Sequence, residues 1–297
     1  MKNRLNTLSR AIKKGDLFYK IICYILIKLG FSNDKLQSLE IRQKKAIKIQ
    51  KKYKRILDSI DYDECLEVYE NNKTIWVCWL QGFDCAPNLV KKCVKSIKKH
   101  CENVILLDET NIFEYITLPE YIVEKYKRGI ISGAHYSDII RTCILIEHGG
   151  LWIDSTTLLT SSIPNFVYSK DLFLYKFYIN YDETIKYNNW FIYSKKNNRL
   201  LKIVRDLLFE FWKKENKASE YFIWHIFFSM ALDKYPEDNK ILNISDLNCH
   251  MLQENMQNEY DEEYWNIITS LTSIHKLTYK YDFVNENSFL DFILNKK

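Results

Sequence analysis

Two carboxylates and a guanidinium stand out in the stretch Ala134–Thr157, AHYSDIIRTCILIEHGGLWIDSTT. Asp138 and Arg141 lie three residues apart, the separation that puts two side chains on one face of a helix. Asp154 comes sixteen residues after Asp138, at the end of the apolar run Leu151–Ile153. A helix packed back over a sheet containing that run would bring all three side chains to one crevice. Such a set suits a polyhydroxylated, phosphorylated ligand. Carboxylates accept hydrogen bonds from sugar hydroxyls, and a guanidinium offers a planar fork to hydroxyls or phosphate. A carboxylate at a strand end can also hold Mg²⁺ or Mn²⁺ against a diphosphate. Each half of the stretch has an ordinary structural explanation, a helix start with an ion pair and a helix stop before a strand. The spacing between the halves is what points to chemistry.

The surrounding pattern supplies the elements that must position these groups. Thr74–Trp79 (TIWVCW) is a continuous β-prone apolar run, the signature of a strand buried on both faces. Asn88–His100 carries Val90, Cys93, Val94 and Ile97 at helical spacing, with lysines opposite. Asn103–Leu107 predicts a second buried strand ending at Asp108. Ser137–His148 predicts a helix closed by Gly149-Gly150, and Leu151–Ile153 a third strand ending at Asp154. Beyond these, Leu172–Ile179 and Trp190–Tyr193 read as strands, about 198–213 and 218–233 as helices, and Ser273–Tyr281 as a last structured segment. The alternation predicts an α/β fold with a mostly parallel, doubly wound sheet flanked by helices. Ligands in such sheets bind beyond the carboxyl ends of the strands. Here those ends are Trp79–Gly82, Asp108–Asn111 and Asp154–Thr156.

The combined motif resembles glycosyltransferase family 32 and, more closely, the bacterial capsular polysaccharide synthesis protein family. Both carry S-D-[IL]-x-R followed by G-G-[IVL]-[YW]-[IL]-D, which here reads Ser137–Arg141 and Gly149–Asp154. The resemblance spans about residues 74–281. It implies a Rossmann-like GT-A fold, a UDP-sugar or other nucleotide-sugar donor, a Mn²⁺ or Mg²⁺ ion and retention of anomeric configuration. It also implies transfer of a hexose or N-acetylhexosamine to a lipid-linked or oligosaccharide acceptor of a capsular or surface polysaccharide. Carried over, Asp138 and Arg141 would grip the donor sugar, with Arg141 also near the diphosphate, and Trp79 would stack on the base. Asp154 is the first Asp of the D-x-D motif and would face ribose, sugar and metal. The third D-x-D position, normally a direct metal ligand, is Thr156, a weaker ligand than a carboxylate. The expectation is therefore that part of the metal's coordination comes from elsewhere. His275 is the candidate metal ligand or phosphate donor. Lys276 and Lys280 are the candidates for neutralising the leaving diphosphate, and His225 for contacting donor or acceptor sugar.

Composition bounds the alternatives. The chain has 297 residues, 47% of them hydrophobic, enough for a large core and against a disordered chain. Its eight cysteines form no C-x-x-C pair, so reduced thiols are expected and a zinc site is not. Residues 1–55 hold 16 Lys+Arg against three acids, and the remainder 27 against 35. A basic arm on an acidic body suits an anionic surface. No motif for nucleic acid accompanies it. The apolar run Leu17–Phe31 is interrupted by Lys20 and Lys28, too short to span a bilayer. It is expected either to pack on the domain or to lie on anionic lipid. The reading is a helical basic extension over 1–70, a catalytic domain over 71–297, and a cytoplasmic location, peripheral on the inner face of the membrane. A non-catalytic binding subunit of a polysaccharide-synthesis complex and a protein-modifying glycosyltransferase stay open as alternatives.

Overall fold

The computed structural model describes residues 17–31, 33–62, 72–178 and 184–295. The expected domain boundary at 70/71, residues 1–16, the acidic stretch beyond Tyr62, Cys65 and Ile179 lie outside the described residues. The first half of the chain forms α1 (Leu17–Lys28), α2 (Asp34–Ser59), β1 (Ile75–Cys78), α3 (Asn88–His100), β2 (Val104–Leu107), α4 (Glu120–Lys127) and α5 (Gly133–His148). Then come β3 (Gly150–Ile153), β4 (Thr157–Leu159), β5 (Leu172–Lys176), β6 (Tyr187–Ser194), α6 (Arg199–Lys214) and α7 (Ile223–Lys234). The chain continues through α8 (Leu247–Glu254), α9 (Glu262–Leu271), β7 (Ile274–Lys276) and α10 (Phe289–Asn295).

The central sheet has the order β2-β1-β3-β6-β5. β1 pairs in parallel with β2 and with β3. β6 runs antiparallel to both β3 and β5, so it alone is reversed and the sheet is mostly parallel, as expected. The alternation of side chains along each strand builds two cores. Trp76, Cys78, Leu107, Trp152 and Ile192 face one way, onto α5, α6 and α7. Ile75, Val77, Leu151, Ile153 and Phe191 face the other way, onto Val90, Val94 and Ile97 of α3. Helices on both faces explain why the strands read as unbroken apolar runs.

Gly149 and Gly150 adopt φ +67° and +99°. Gly149 caps α5, its N–H donating to the Leu145 carbonyl at 3.0 Å. At Gly150 a Cβ would sit 2.6 Å from the Thr74 carbonyl and 2.9 Å from the Trp76 indole nitrogen. Only a glycine lets β3 close on β1, and Asp154 takes its place from that closure.

The basic extension is not uniform. α2 buries Ala46, Ile49, Tyr53 and Leu57 in the same core as α6 and α7, and the Tyr53 ring meets Phe211 and Phe227. Ile41 and Ile56, on the same helix, are only half-buried. α1 buries none of its described side chains, and Ile21, Ile22, Tyr24, Ile25 and Leu26 are exposed. No described helix is long and apolar enough to cross a membrane. The six described cysteines are free thiols.

Candidate active site

α5 starts one turn earlier than the sequence suggests. Ser132 caps it, its hydroxyl accepting from the His135 N–H, so Asp138 and Arg141 stand beyond its first turn. Both face the carboxyl end of the sheet and are buried. Arg141 Nη2 lies 3.5 Å from Asp138 Oδ1 and 3.3 Å from Asp154 Oδ1. The guanidinium also donates to the Ser137 hydroxyl at 3.2 Å and to the Asn189 carbonyl. It rests over the Trp152 ring, 5.1 Å from its centroid. Asn189, from β6, donates through its amide to Asp138 Oδ1 at 2.8 Å. One residue of β6 thus orients the acid with its side chain and the guanidinium with its carbonyl. Burial raises the Asp138 carboxyl above the usual carboxylate range, with Arg141, His135 and Asn189 opposing it.

Asp154 stands where β3 ends. Oδ1 accepts from the Trp152 indole at 3.1 Å, and Oδ2 accepts from Lys276 Nζ at 2.9 Å. The side chain is 25% exposed, enough to meet a ligand. Burial would raise this carboxyl, but the Lys276 ammonium and the Arg141 guanidinium outweigh it and hold the carboxyl below its usual range. After Asp154 the chain turns into β4, which pairs antiparallel with β7 and sets Thr157 opposite Lys276. The Leu277 N–H donates to the Thr156 carbonyl at 2.9 Å. This two-stranded ribbon is what carries a residue 122 positions downstream onto the carboxylate.

These groups line a cleft of about 770 Å³. Trp79, just past β1, forms one wall and meets Tyr279 edge-on at 5.3 Å. Lys280 lines the same cleft and is exposed. His225 also lines it, from the first turn of α7, but is buried. Burial, followed by the charges of Arg141 and Arg42, lowers its pKa to about 3, so it stands as a neutral ring.

Two expectations are corrected. His275 does not reach the cleft. Neighbouring residues of a strand point to opposite faces, so with Lys276 turned to Asp154, His275 turns into the interior. It is fully buried, with Nε2 3.1 Å from the Thr160 hydroxyl, and burial lowers its pKa to about 4. Asp108–Asn111 likewise do not line the cleft. Asp108 Oδ1 accepts from the N–H and hydroxyl of Thr110, closing a turn. Asn189, Trp152 and Tyr279 have roles that sequence reasoning missed. Asn189 carried a faint signal, a polar residue directly before the apolar run Trp190–Tyr193.

The donor set can be tested against a divalent ion. Asp154 is the one carboxylate of the D-x-D position, and the Lys276 ammonium already bridges it and the Thr156 hydroxyl. A divalent ion about 4 Å from an ammonium is repelled by roughly 8 kcal/mol at the effective dielectric of a protein surface. Among the described residues no group of three or more His, Cys, Asp and Glu side chains could hold a metal. These residues do not fit a bound Mn²⁺ or Mg²⁺.

Comparison with known proteins gives the chain its family. No curated protein matches it. Among solved structures it is similar to the PaToxG glycosyltransferase, at 17% identity over 67% of this chain and 80% of that one, with a TM-score of 0.42. The family model described as capsular polysaccharide synthesis protein matches residues 27–296, which takes in α2, the whole sheet and every cleft residue named above. The chain belongs to the capsular polysaccharide synthesis protein family.

Proposed function

We propose that the protein is a GT-A type glycosyltransferase. It moves a hexose or N-acetylhexosamine, with retention, from a UDP-sugar to the lipid-linked or oligosaccharide acceptor of a capsular or surface polysaccharide. The observation that carries this reading is the convergence of Asp138, Arg141, Asp154 and Lys276 at the carboxyl ends of β1 and β3. In this reading Trp79 and Tyr279 flank the base, and Asp138 and Asp154 accept hydrogen bonds from donor hydroxyls. The cationic groups lie where the diphosphate leaves.

Breaking the sugar–phosphate bond leaves positive charge on the sugar and negative charge on the diphosphate. Arg141, Lys276 and Lys280 stabilise the departing anion from fixed positions, which requires little reorganisation during the reaction. Retention follows when the acceptor hydroxyl attacks from the face the diphosphate leaves and a diphosphate oxygen takes its proton. Neither carboxylate of the cleft is free to act as a nucleophile: Asp138 is tied to Asn189 and Arg141, and Asp154 to Arg141 and Lys276.

The test is to incubate the purified chain with a panel of nucleotide sugars and assay free nucleoside diphosphate. Release from one donor is expected. Arg141→Ala is expected to lower kcat on the order of 10²-fold with little change in KM, and Asp154→Ala to abolish release. No release and no thermal shift with any donor would sink this reading in favour of a non-catalytic partner. The reading also places the protein on the cytoplasmic membrane face, held by its basic arm and by α1.

A further inference from the structure

We infer that the ammonium of Lys276 takes the place of the divalent cation, so that the protein binds and cleaves its donor without a metal. This rests on the glycosyltransferase reading and goes beyond it. By the resemblance, the metal-facing positions of the D-x-D motif would be Asp154 and Thr156. Here the corresponding atoms are Asp154 Oδ2 and Thr156 Oγ1, and one nitrogen holds both. Lys276 Nζ lies 2.9 Å from the first and 2.6 Å from the second.

The position of that nitrogen is a property of the backbone. Lys276 is the last residue of β7, registered opposite Thr157, and the next residue hydrogen-bonds the carbonyl of Thr156 itself. Thr156 and Lys276 read as a matched pair. A hydroxyl accepts from an ammonium without adding a second negative charge. An aspartate at 156 would add one, and would favour an ion. An ammonium has three N–H donors. Two go to Asp154 and Thr156, which leaves one for an oxygen of the diphosphate. Lys276 and Lys280 line the same cleft and together supply the two positive charges that a divalent ion would bring.

The other expected ligand is also accounted for. His275 lies across the strand from Lys276, buried beside Thr160. Turning it to the cleft would turn Lys276 away and break the β4–β7 register, so the protein presents the lysine or the histidine, never both.

The test measures binding of UDP, GDP and CDP to the whole chain by calorimetry, once with EDTA and once with Mn²⁺. At least one nucleotide is expected to bind in EDTA, with a Kd that Mn²⁺ changes less than about twofold. Lys276→Ala is expected to weaken that binding about tenfold or more, the usual loss for a charge-assisted hydrogen bond, and Lys276→Arg to weaken it less. The double variant Thr156→Asp/Lys276→Ala, which rebuilds a two-carboxylate site, is expected to bind more tightly with Mn²⁺ than with EDTA. Binding by the unmodified chain that disappears in EDTA and returns with Mn²⁺ overturns the inference and leaves the glycosyltransferase reading standing. That comparison needs no variant, so a misfolded Lys276→Ala does not obscure it. Absence of binding by all three nucleotides in both buffers overturns the reading, and this inference with it.

Discussion

At the scale of single residues, two of the three buried histidines, His275 and His225, make stability fall in acid. His275 is held neutral, its pKa lowered from 6.5 to about 4 by burial. The unfolded chain takes up a proton as pH falls through about 6.5, and the folded chain only near 4. Between those values the unfolded state binds more protons, so stability falls with falling pH, and above 6.5 this group has no effect. Over the whole window the loss is on the order of 3 kcal/mol. His225, lowered to about 3, acts in the same sense. Asp154 contributes separately. Its carboxyl lies below the usual range, so its pairing is complete above the unfolded value and is lost only as pH falls through the lower folded one. His275→Gln is expected to flatten the decline in denaturation free energy between pH 6.5 and 4. A variant whose pH slope equalled that of the unmodified chain would refute this assignment. Other pairings set the geometry of the cleft. Removing Arg141 would take from Asp138 and Asp154 the guanidinium they share, so its loss is expected to lower stability as well as turnover.

At the scale of elements, the approach of β3 to β1 is the most demanding junction. Gly150→Ala is expected to cost about 3 kcal/mol or more, from overpacking added to a strained φ. Gly129 provides the control. It has φ +71° but nothing within 4 Å of where an alanine methyl would stand, so Gly129→Ala is expected to cost only about 1–2 kcal/mol. Thermal midpoints of the two variants check the difference, and equal shifts would show that the contact with Thr74 is unimportant. The strands of the sheet and the helix carrying Asp138 were legible because long apolar runs and helical spacing persist when packed from both sides. β4 and β7 were not. Each is three residues long, too short for a periodicity to appear, and β4 continues directly from the polar turn Asp154–Thr156. The same shortness hid the parity of β7. His275 and Lys276 are adjacent in sequence, and only the pairing with Thr157 decides which one faces the cleft. α7 starts at Ile223, five residues later than 218, and just before it the Tyr221 carbonyl meets His135 Nε2 at 3.1 Å. α8, α9 and α10 bury Leu252, Trp265, Ile268 and Phe289 in a satellite cluster under the β4–β7 ribbon. The amphipathic spacing of these short helices gave little signal.

At the scale of the whole molecule, charge and apolar exposure coincide at one end of the chain. The basic excess lies in residues 1–55, and α1, within that span, exposes a run of large apolar side chains. An apolar face flanked by lysines binds best to anionic lipid, and its electrostatic part is screened by salt. The full chain is expected to sediment with vesicles containing phosphatidylserine or phosphatidylglycerol, and less with neutral ones. Ile21→Ser/Ile25→Ser is expected to weaken this. Equal recovery in the supernatant with both kinds of vesicle would refute membrane docking.

The pairing of Lys276 with Asp154 also has a temporal side. A ribosome delivers Asp138, Arg141 and Asp154 early and Lys276 more than a hundred residues later. A domain folds as a unit, so the Lys276 contact is completed only once β7 and the segment after it are made. The cleft becomes a finished anion clamp only when the ribbon closes. A chain released before β7 would lack Lys276, Tyr279 and Lys280 of the cleft and also Leu277, Phe289 and Leu290 of the core under the ribbon.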